Sequence, residues 1–408
     1  MNDSILNRRA IAWIVWLIAS IFYAYQYVLR VMPNIFMNDI MQQFGIGAGA
    51  FGQVSGIYYI GYSLAHLPIG IMLDRYGPKK IMSGCIFMSA AGLIPLFLGE
   101  HWSFPIDGRF LTGIGSSAAI LGLFKIIRMA FSEAKFARMV SFAATIGLIG
   151  AIYGGGPLSW MRNTFGYETV MIVLALVGVA LACFTYWIIP DQKTSEEGNV
   201  VSDLKEALSN KKVLLCCFFA GLMVGPLEGF ADVWGSAFLK NVYGYEGSSA
   251  AVIPSWIFVG MCFGAPVLSF VAEKIGNYLI AIVGAGVAMA AGFSTMLALH
   301  VPQFMLSLSF VLVGICCAYQ ILAIYKATTY APQRLAGMTS AIANMIIMVF
   351  GYVFHATMGG IINALGGPES AHALSYGVAV IPIALCAGTV GFVILLVKER
   401  KVLSIETG

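Results

Sequence analysis

Long apolar runs, separated by short polar stretches, make up most of the 408-residue chain. A helix that crosses about 30 Å of hydrocarbon needs roughly 20 apolar residues, and the chain contains twelve runs of about that length. Transmembrane β-strands would be about ten residues long and would alternate apolar and polar positions, so these continuous runs predict helices. The runs cover residues 11–35, 48–72, 80–99, 107–131, 138–160, 168–189, 212–238, 250–273, 278–298, 303–327, 337–362 and 373–397.

The longest polar stretch, from Asp191 to Lys212, divides the twelve runs six and six. This division predicts two halves joined by a cytoplasmic linker that is partly helical near Leu204–Leu208. The predicted bounds are 1–190 for the N-terminal six-helix half, 191–211 for the linker and 212–408 for the C-terminal six-helix half.

The two halves also resemble each other in sequence. Six-helix repeats related by an axis along the membrane normal are a known architecture of membrane proteins. We therefore predict an all-α membrane protein of twelve transmembrane helices, in two six-helix pseudo-repeats around a central cavity. An offset of 199 residues places Asp74 over Glu273 and Gly115 over Gly314, and an offset of 202 places Gln26 over Glu228 and Arg30 over Asp232.

Charged residues are scarce and unevenly placed along the chain. They make up 10% of the residues, whereas soluble proteins carry about 25%. If the N-terminus is cytoplasmic, 19 of the 23 Lys and Arg residues fall on the inner side, and only Arg30, Arg109, Arg162 and Lys240 fall toward the outside. Because cytoplasmic loops carry an excess of Lys and Arg, this distribution predicts that both termini are cytoplasmic.

The sequence lacks the motifs of enzymes, metal sites and ATP-driven pumps. Its eight cysteines lie inside predicted helices without the spacing of zinc ligands. It has no Walker A sequence, and the glycines at 47, 49 and 52 lack the preceding strand of a dinucleotide site. We therefore expect no enzymatic activity, no cofactor, no metal and no nucleic-acid partner.

The loop after the second predicted helix carries the most specific motif in the chain. From Gly70 to Lys80 it reads Gly-Ile-Met-Leu-Asp-Arg-Tyr-Gly-Pro-Lys-Lys, and it resembles the signature loop of the major facilitator superfamily. Arg109, Gly113 and Gly115 in the fourth helix resemble a second motif of that superfamily. The resemblance implies a secondary transporter that works by alternating access. It also implies a gating loop of Gly70, Asp74, Arg75, Gly77 and Lys79, with a degenerate copy at Glu273 and Lys274.

A second resemblance concerns the helices. Tyr23-x-Tyr25-x-Tyr27-x-x-Arg30, Tyr58-Tyr59-x-x-Tyr62 and the segment 225–235 are similar to the phagosomal transporter group of intracellular bacteria. This similarity implies import of amino acids or nucleosides across a bacterial inner membrane. The chain departs from that group at Gln26, where Glu is expected, and at His66, where Gln is expected. If that Glu carries protons in relatives, proton coupling here must use other residues.

Glu228 and Asp232 are the candidates for proton coupling. They lie four residues apart in the seventh helix and therefore share a helix face. A charged side chain at the centre of a membrane helix costs roughly 2.5–3.5 kcal/mol, so such residues normally face a cavity or a partner. A carboxylate in a low-dielectric site also holds a proton more readily than one in water. The alternative is a structural salt bridge between Asp232 and Arg30.

Arg30 and Lys125 are the cationic candidates for substrate binding. A guanidinium grips a carboxylate through two parallel hydrogen bonds, so Arg30 suits an anionic group of a substrate. Arg30 is also near enough to the outer face to extend its side chain into the headgroups, and this alternative stays open. With Glu228 and Asp232 available for an amine, the set of charges suggests a zwitterion.

Uncharged hydrogen-bonding groups in otherwise apolar helices complete the predicted substrate site. Ligand sites are mostly apolar with a few such groups, although hydrogen bonds between helices explain the same residues. For His66 and His355 we expect hydrogen-bonded positions in the core. The uncharged candidates are Gln26, Tyr23, Tyr27, Tyr59, Tyr319, Gln320 and Asn344.

Together these features predict a proton-coupled importer of a small polar solute such as an amino acid. Its partners would be the substrate, protons and membrane lipids, and we expect a monomer. A nucleoside or an organic anion, including a siderophore-like one, is the alternative substrate. A membrane sensor or a channel is the alternative of a different class.

Overall fold

The computed structural model describes residues 9–190 and 200–406, and α-helices dominate this part of the chain. Eleven helical segments in it are long and apolar enough to cross a membrane, and one bent pair makes a twelfth if it is counted as one span. The predicted all-α membrane fold is thus confirmed. The spans are α1 Ala10–Val31, α2 Ala48–Tyr76, α3 Pro78–Leu98, α4 Ser103–Ala130, α5 Arg138–Tyr153 with Gly156–Phe165, α6 Tyr167–Ile188, α7 Lys211–Asn241, α8 Gly247–Ile275, α9 Tyr278–Ala298, α10 Gln303–Thr329, α11 Gln333–Ala364 and α12 Ala371–Arg400.

The bend in α5 follows from its sequence. The two parts of the span meet at an angle of 41°. The second part begins at Gly156 with Pro157 in its first turn, a position where the missing N–H of proline costs no helical hydrogen bond. Proline and glycine together therefore end one helical axis and start another within the same span.

Two helices outside the spans lie in polar stretches. Pro33–Phe44 follows α1 directly and extends the chain as a helix beyond the predicted end at residue 35. Val200–Ser209 contains the predicted helical segment Leu204–Leu208. The linker residues 191–199 lie outside the described part of the chain.

The contacts divide the chain into two compact units, Met1–Gly198 and Asn199–Gly408. In the first unit α1 packs along α5, α2 along α4 and α3 along α6. In the second unit the same order recurs, with α7 along α11, α8 along α10 and α9 along α12. The shared order of pairs is the pattern expected of a six-helix repeat.

Glycines set the closest of these contacts. A methyl group on Gly113 of α4 would lie 2.0 Å from the Tyr58 carbonyl oxygen of α2. A methyl group on Gly314 of α10 would likewise lie 2.0 Å from the Ile257 carbonyl oxygen of α8. Small residues allow such close backbone approach between membrane helices, so both units use one device at corresponding helices.

This geometry corrects one predicted correspondence between the halves. Gly113, and not Gly115, is the counterpart of Gly314, because it is Gly113 that meets α2 as Gly314 meets α8. Gly115 faces α3 instead, where an added methyl would lie 2.3 Å from the Cys85 carbonyl oxygen. Since 314 exceeds 113 by 201, the fourth and tenth spans are offset by two residues more than the loop motif indicates.

Candidate functional site

The first unit buries Arg30 among aromatic rings of α1 and α2. The side chain is only 6% exposed. The guanidinium carbon lies 5.2 Å from the ring centre of Tyr27 and 5.4 Å from that of Tyr59. A guanidinium over an aromatic face is attracted by the ring quadrupole. This burial argues against the alternative in which the Arg30 side chain extends into the headgroups, since the guanidinium packs against protein rings instead.

The other predicted residues of α1 lie in the same cluster. The Tyr58 hydroxyl donates a hydrogen bond of 2.8 Å to Oε1 of Gln26. The ring of Tyr23 meets that of Tyr27 edge-on, with centroids 5.2 Å apart. We define the α1–α2 cluster as Tyr23, Gln26, Tyr27, Arg30, Tyr58 and Tyr59.

Arg109, in the second turn of α4, is a buried cation. It is 1% exposed and donates to the Leu29 carbonyl oxygen at 2.5 Å and, more weakly, to the Arg30 carbonyl oxygen at 3.4 Å. Pro33, four residues after Leu29, has no N–H to offer that carbonyl. Arg109 thus satisfies backbone groups left open where α1 ends.

Lys125 of α4 has a protein carboxylate as its partner. Its ammonium nitrogen lies 2.7 Å from Oδ1 of Asp74 in the last turn of α2, whereas a substrate carboxylate was the predicted partner. The lysine side chain is 16% exposed and the aspartate side chain 53%. The pair links the C-terminal part of α4 to the last turn of α2.

The loop motif that was predicted to gate forms a sharp turn at Gly77, between the end of α2 at Tyr76 and the start of α3 at Pro78. Gly77 has φ of 82°, a left-handed conformation that favours glycine, and Pro78 begins α3 immediately after it. Arg75 lies over the ring of Tyr76 at 5.5 Å and Lys79 lies 4.8 Å from the ring of Tyr186. Gly77 therefore has a backbone requirement that explains its place in the motif.

The glycine at the start of the motif has no such requirement. A methyl group on Gly70 would meet only Leu121, at 3.8 Å, which is ordinary contact. In the second unit the degenerate copy keeps the turn, since Gly276 has φ of 71°, while Glu273 and Lys274 are exposed. Lys326 of α10, which lies 201 residues beyond Lys125, pairs with Glu399 at 2.9 Å.

The second unit places Glu228 and Asp232 in an irregular segment of α7. Residues Gly225–Trp234 form a π-helix, and both carboxylate residues in it are 0% exposed. π-helical segments are rare and are frequently found at functional sites. Nothing in the apolar pattern predicts this segment, although Pro226 at its start is a local signal.

Helix α11 packs against this π-helix through glycines. A methyl group on Gly225 would lie 2.7 Å from the ring of Phe354, and one on Gly229 would lie 3.1 Å from the sulfur of Met358. Between these two contacts, Nε2 of His355 is hydrogen-bonded to the Glu228 carbonyl oxygen, and His355 is 0% exposed. The expected hydrogen-bonded core position of His355 is confirmed.

The remaining predicted residues of the second unit differ in their surroundings. Tyr319 is fully buried and its hydroxyl donates to the Ala220 carbonyl oxygen of α7 at 2.6 Å, as expected of a bond between helices. Gln320 is buried at 7% exposure, whereas Asn344 of α11 is partly exposed.

A groove elsewhere in the second unit is built from other residues. It has a volume of about 740 Å³ and lies between the first turns of α8 and α10, with Ser248, Trp256 and Phe304 in its walls. Its lining is largely apolar and it includes none of the predicted substrate residues. We do not assign it to the transport site.

Comparison with known proteins agrees with this architecture. Residues 15–356 match the family model of the Major Facilitator Superfamily. The probable galactarate/D-glucarate transporter GudP of Bacillus subtilis (strain 168) is 24% identical over 181 residues, which are 43% of this chain and 39% of that protein. The gallate transporter of Pseudomonas putida is 24% identical over 196 residues, 47% of this chain and 43% of that protein. The matches thus span about two fifths of the length of these relatives.

A solved structure shows the same fold over nearly the whole chain. The crystal structure of the nucleoside transporter NupG superposes with a TM-score of 0.77, at 14% identity, covering 93% of this chain and 99% of that one. At this identity the similarity concerns the fold alone. With the helical pairs of each unit, the gating-loop motif and the family match over 342 residues (15 to 356), the chain belongs to the Major Facilitator Superfamily.

Proposed function

We propose that this transporter takes up a small solute that carries a carboxylate group, driven by a proton gradient. The observation that carries the proposal is the buried guanidinium of Arg30 beside the rings of Tyr27 and Tyr59. A guanidinium presents paired donors that match the two oxygens of a carboxylate. Tyrosine rings beside it offer apolar contact and hydroxyl groups to the rest of a solute.

The chemistry of the relatives' substrates supports this choice. Galactarate, D-glucarate and gallate all carry carboxylate groups, and the proteins named for them are similar to this chain. Nucleosides lack a carboxylate, and the likeness to the nucleoside transporter is one of fold. A carboxylate ligand for Arg30 therefore agrees with both the residues and the relatives.

Proton coupling is assigned to the acidic residues of α7. Glu228 and Asp232 are buried in a span, where a carboxylate is expensive to keep charged. In the α1–α2 cluster the corresponding position is Gln26, whose amide does not titrate. Glu228 is the proposed proton carrier, with Asp232 as its neighbour one turn away.

An amino acid is the second candidate substrate. The presence of two carboxylates in α7 favours it, because a zwitterion needs an anionic partner for its ammonium group as well as a cationic one. A plain organic acid leaves Asp232 without a substrate role. Both candidates share the contact between Arg30 and a carboxylate.

The proposed gating rests on the loop between α2 and α3. Asp74 and Lys125 pair at 2.7 Å, and such a pair in a partly exposed place is weak enough to break and reform. We propose that this pair is made and broken as the transporter alternates in a bacterial inner membrane, with both termini cytoplasmic.

Uptake into proteoliposomes tests the substrate class. Labelled gallate, labelled D-glucarate, a pool of labelled amino acids and a pool of labelled nucleosides are offered separately, with and without an inward proton gradient. We expect gradient-dependent accumulation of one or more of the carboxylates or amino acids, and competition by the unlabelled form. Accumulation of nucleosides alone would overturn the role of Arg30, and accumulation without a gradient effect would overturn proton coupling.

A further inference from the structure

We infer that His355 is a positioning residue that holds the π-helical turn of α7, and with it the direction of the Glu228 and Asp232 side chains. The inference rests on the proposed function for its consequence in transport. Its structural part stands on the contact between His355 and α7 alone.

The hydrogen bond fixes which atom of the imidazole carries hydrogen. A carbonyl oxygen only accepts, so Nε2 of His355 must donate to the Glu228 carbonyl. The donor reaches the backbone of the residue whose side chain is the proposed proton carrier. His355 thus acts on Glu228 through the main chain.

A π-helix needs such outside support. Its backbone bonds run over five residues, and such helices are rare in proteins. In α-helical geometry the Glu228 carbonyl would accept from the N–H four residues on. A donor from α11 gives that carbonyl a bond that does not depend on α-helical geometry in α7, so His355 favours the wider turn.

Contacts on both sides of His355 hold α11 close to α7 at this point. Gly225 and Gly229 let α11 approach α7 at Phe354 and Met358, which flank His355 along α11. This approach puts the imidazole against the main chain of α7. A methyl group on Gly225 would have to displace the ring of Phe354, whereas one on Gly229 would need only a small shift of the Met358 sulfur.

The consequence concerns where the carboxylates point. Conversion of the π-turn to α-helix removes one residue from the turn and rotates the later part of α7 by roughly 100°, the angle per residue in a helix of 3.6 residues per turn. Asp232 lies after Glu228 in the segment and would change its direction relative to Glu228. A transporter that loads a proton at this place depends on that direction.

The test compares His355→Gln with His355→Leu in the purified full-length protein. Gln keeps a donor near the position of Nε2, whereas Leu keeps much of the volume and has no donor. The first measurement is hydrogen–deuterium exchange of peptides that cover residues 222–236. We expect exchange in the Leu variant to be roughly three- to tenfold faster, as the loss of one buried hydrogen bond predicts, and exchange in the Gln variant to match the wild type.

His66→Leu serves as the control, because it removes another buried histidine, on α2 of the first unit. Its exchange over 222–236 is expected to equal that of the wild type. Equal exchange in the wild type and in both His355 variants would overturn the inference. Equally fast exchange in the Gln and Leu variants would also overturn it, because the donor would then have no part.

Transport provides a second measurement on the same proteins. The same pooled labelled carboxylates and amino acids are used. The Leu variant is expected to lose gradient-driven accumulation and to keep the exchange of labelled for unlabelled substrate across the membrane, while the Gln variant keeps both activities. Absence of accumulation in the wild type itself would contradict the proposed function. The hydrogen–deuterium exchange result on the π-turn would still hold. Full accumulation in the Leu variant would remove His355 from the positioning role.

Discussion

The guanidinium of Arg30 is held beside the rings of Tyr27 and Tyr59, and this arrangement makes a lysine at position 30 a poor substitute. A lysine ammonium is a compact charge that cannot form the paired hydrogen bonds of a guanidinium. Arg30→Lys is therefore expected to raise the KM for a carboxylate substrate about tenfold or more, since a hydrogen bond to a charged group contributes about 1.5–3 kcal/mol. Kinetics of initial uptake measure this change.

A matched control is Arg128→Lys, an exposed arginine on α4 in the same unit. Its KM should equal that of the wild type. Equal KM values for the Arg30 and Arg128 variants would show that Arg30 does not bind the carboxylate.

Glu228 carries the prediction for coupling. Glu228→Gln removes the titrating group and keeps the size of the side chain. We expect gradient-driven accumulation to be abolished and exchange of labelled for unlabelled substrate to continue in part, because exchange does not require net proton movement. Glu246→Gln, at an exposed glutamate between α7 and α8, is the control and should accumulate normally. Full accumulation by the Glu228 variant would assign coupling to another residue.

For single residues, the sequence predicted which residues belong to the α1–α2 cluster better than it predicted their contacts. Their polar groups within the apolar span α1 were enough to select Gln26, Tyr27 and Arg30, because polar residues in apolar spans need partners. Their partners were missed, because contacts between helices depend on packing that a single sequence does not reveal. Arg109 is the clearest case, since its bond to the Leu29 carbonyl depends on a proline in another helix.

The close packing of α8 against α10 at Gly314 predicts the effect of adding a methyl group there. Gly314→Ala would place a methyl group 2.0 Å from the Ile257 carbonyl oxygen, so α8 and α10 must move apart. Overpacking of this kind destabilises a protein by about 1–3 kcal/mol, and we expect a lower melting temperature in detergent. Gly284→Ala on α9, where an added methyl meets nothing within 4 Å, should melt like the wild type. A similar melting temperature for both variants would contradict this role of Gly314 in the packing.

The ion pair between α2 and α4 gives a prediction about the proposed gating. Reversing one charge of the 2.7 Å pair between Asp74 and Lys125 puts like charges together. We expect Asp74→Lys or Lys125→Asp to slow exchange by about fivefold or less, in line with the modest energies of exposed ion pairs. The double exchange, Asp74→Lys with Lys125→Asp, should recover most of the rate. A double variant no faster than the slower single variant would separate the pair from gating.

The π-helix in α7 is a secondary-structure element that the sequence did not predict. The apolar run at 212–238 predicted a span, and the span is present. The π-helical geometry of Gly225–Trp234 is not visible in that run, and apolar patterning also carries no information on the contacts that Gly225 and Gly229 make with α11. The bend in α5 is the opposite case, because Gly154, Gly155 and Pro157 mark it in the sequence itself.

Across the whole chain, length and hydrophobicity were sufficient to predict twelve spans in two halves. The solvent explains this success, because a backbone in lipid must satisfy its own hydrogen bonds, and for continuous apolar runs of this length the helix is the structure that does so. The repeat was visible only in part, since an offset of 199 residues relates Gly61 to Gly260, whereas 201 relates Gly113 to Gly314. A shift of two residues between spans blurs a repeat that the packing of each unit displays.

Proton movement that accompanies the substrate is the sharpest test of proton-coupled uptake. Proteoliposomes with an internal pH dye and no imposed gradient are mixed with the gallate, D-glucarate or amino acid that the uptake screen identifies. We expect acidification of the lumen over the same time course as uptake of the labelled substrate, and no acidification with Glu228→Gln. Entry of substrate into wild-type vesicles without any change of internal pH would contradict proton-coupled uptake by this transporter.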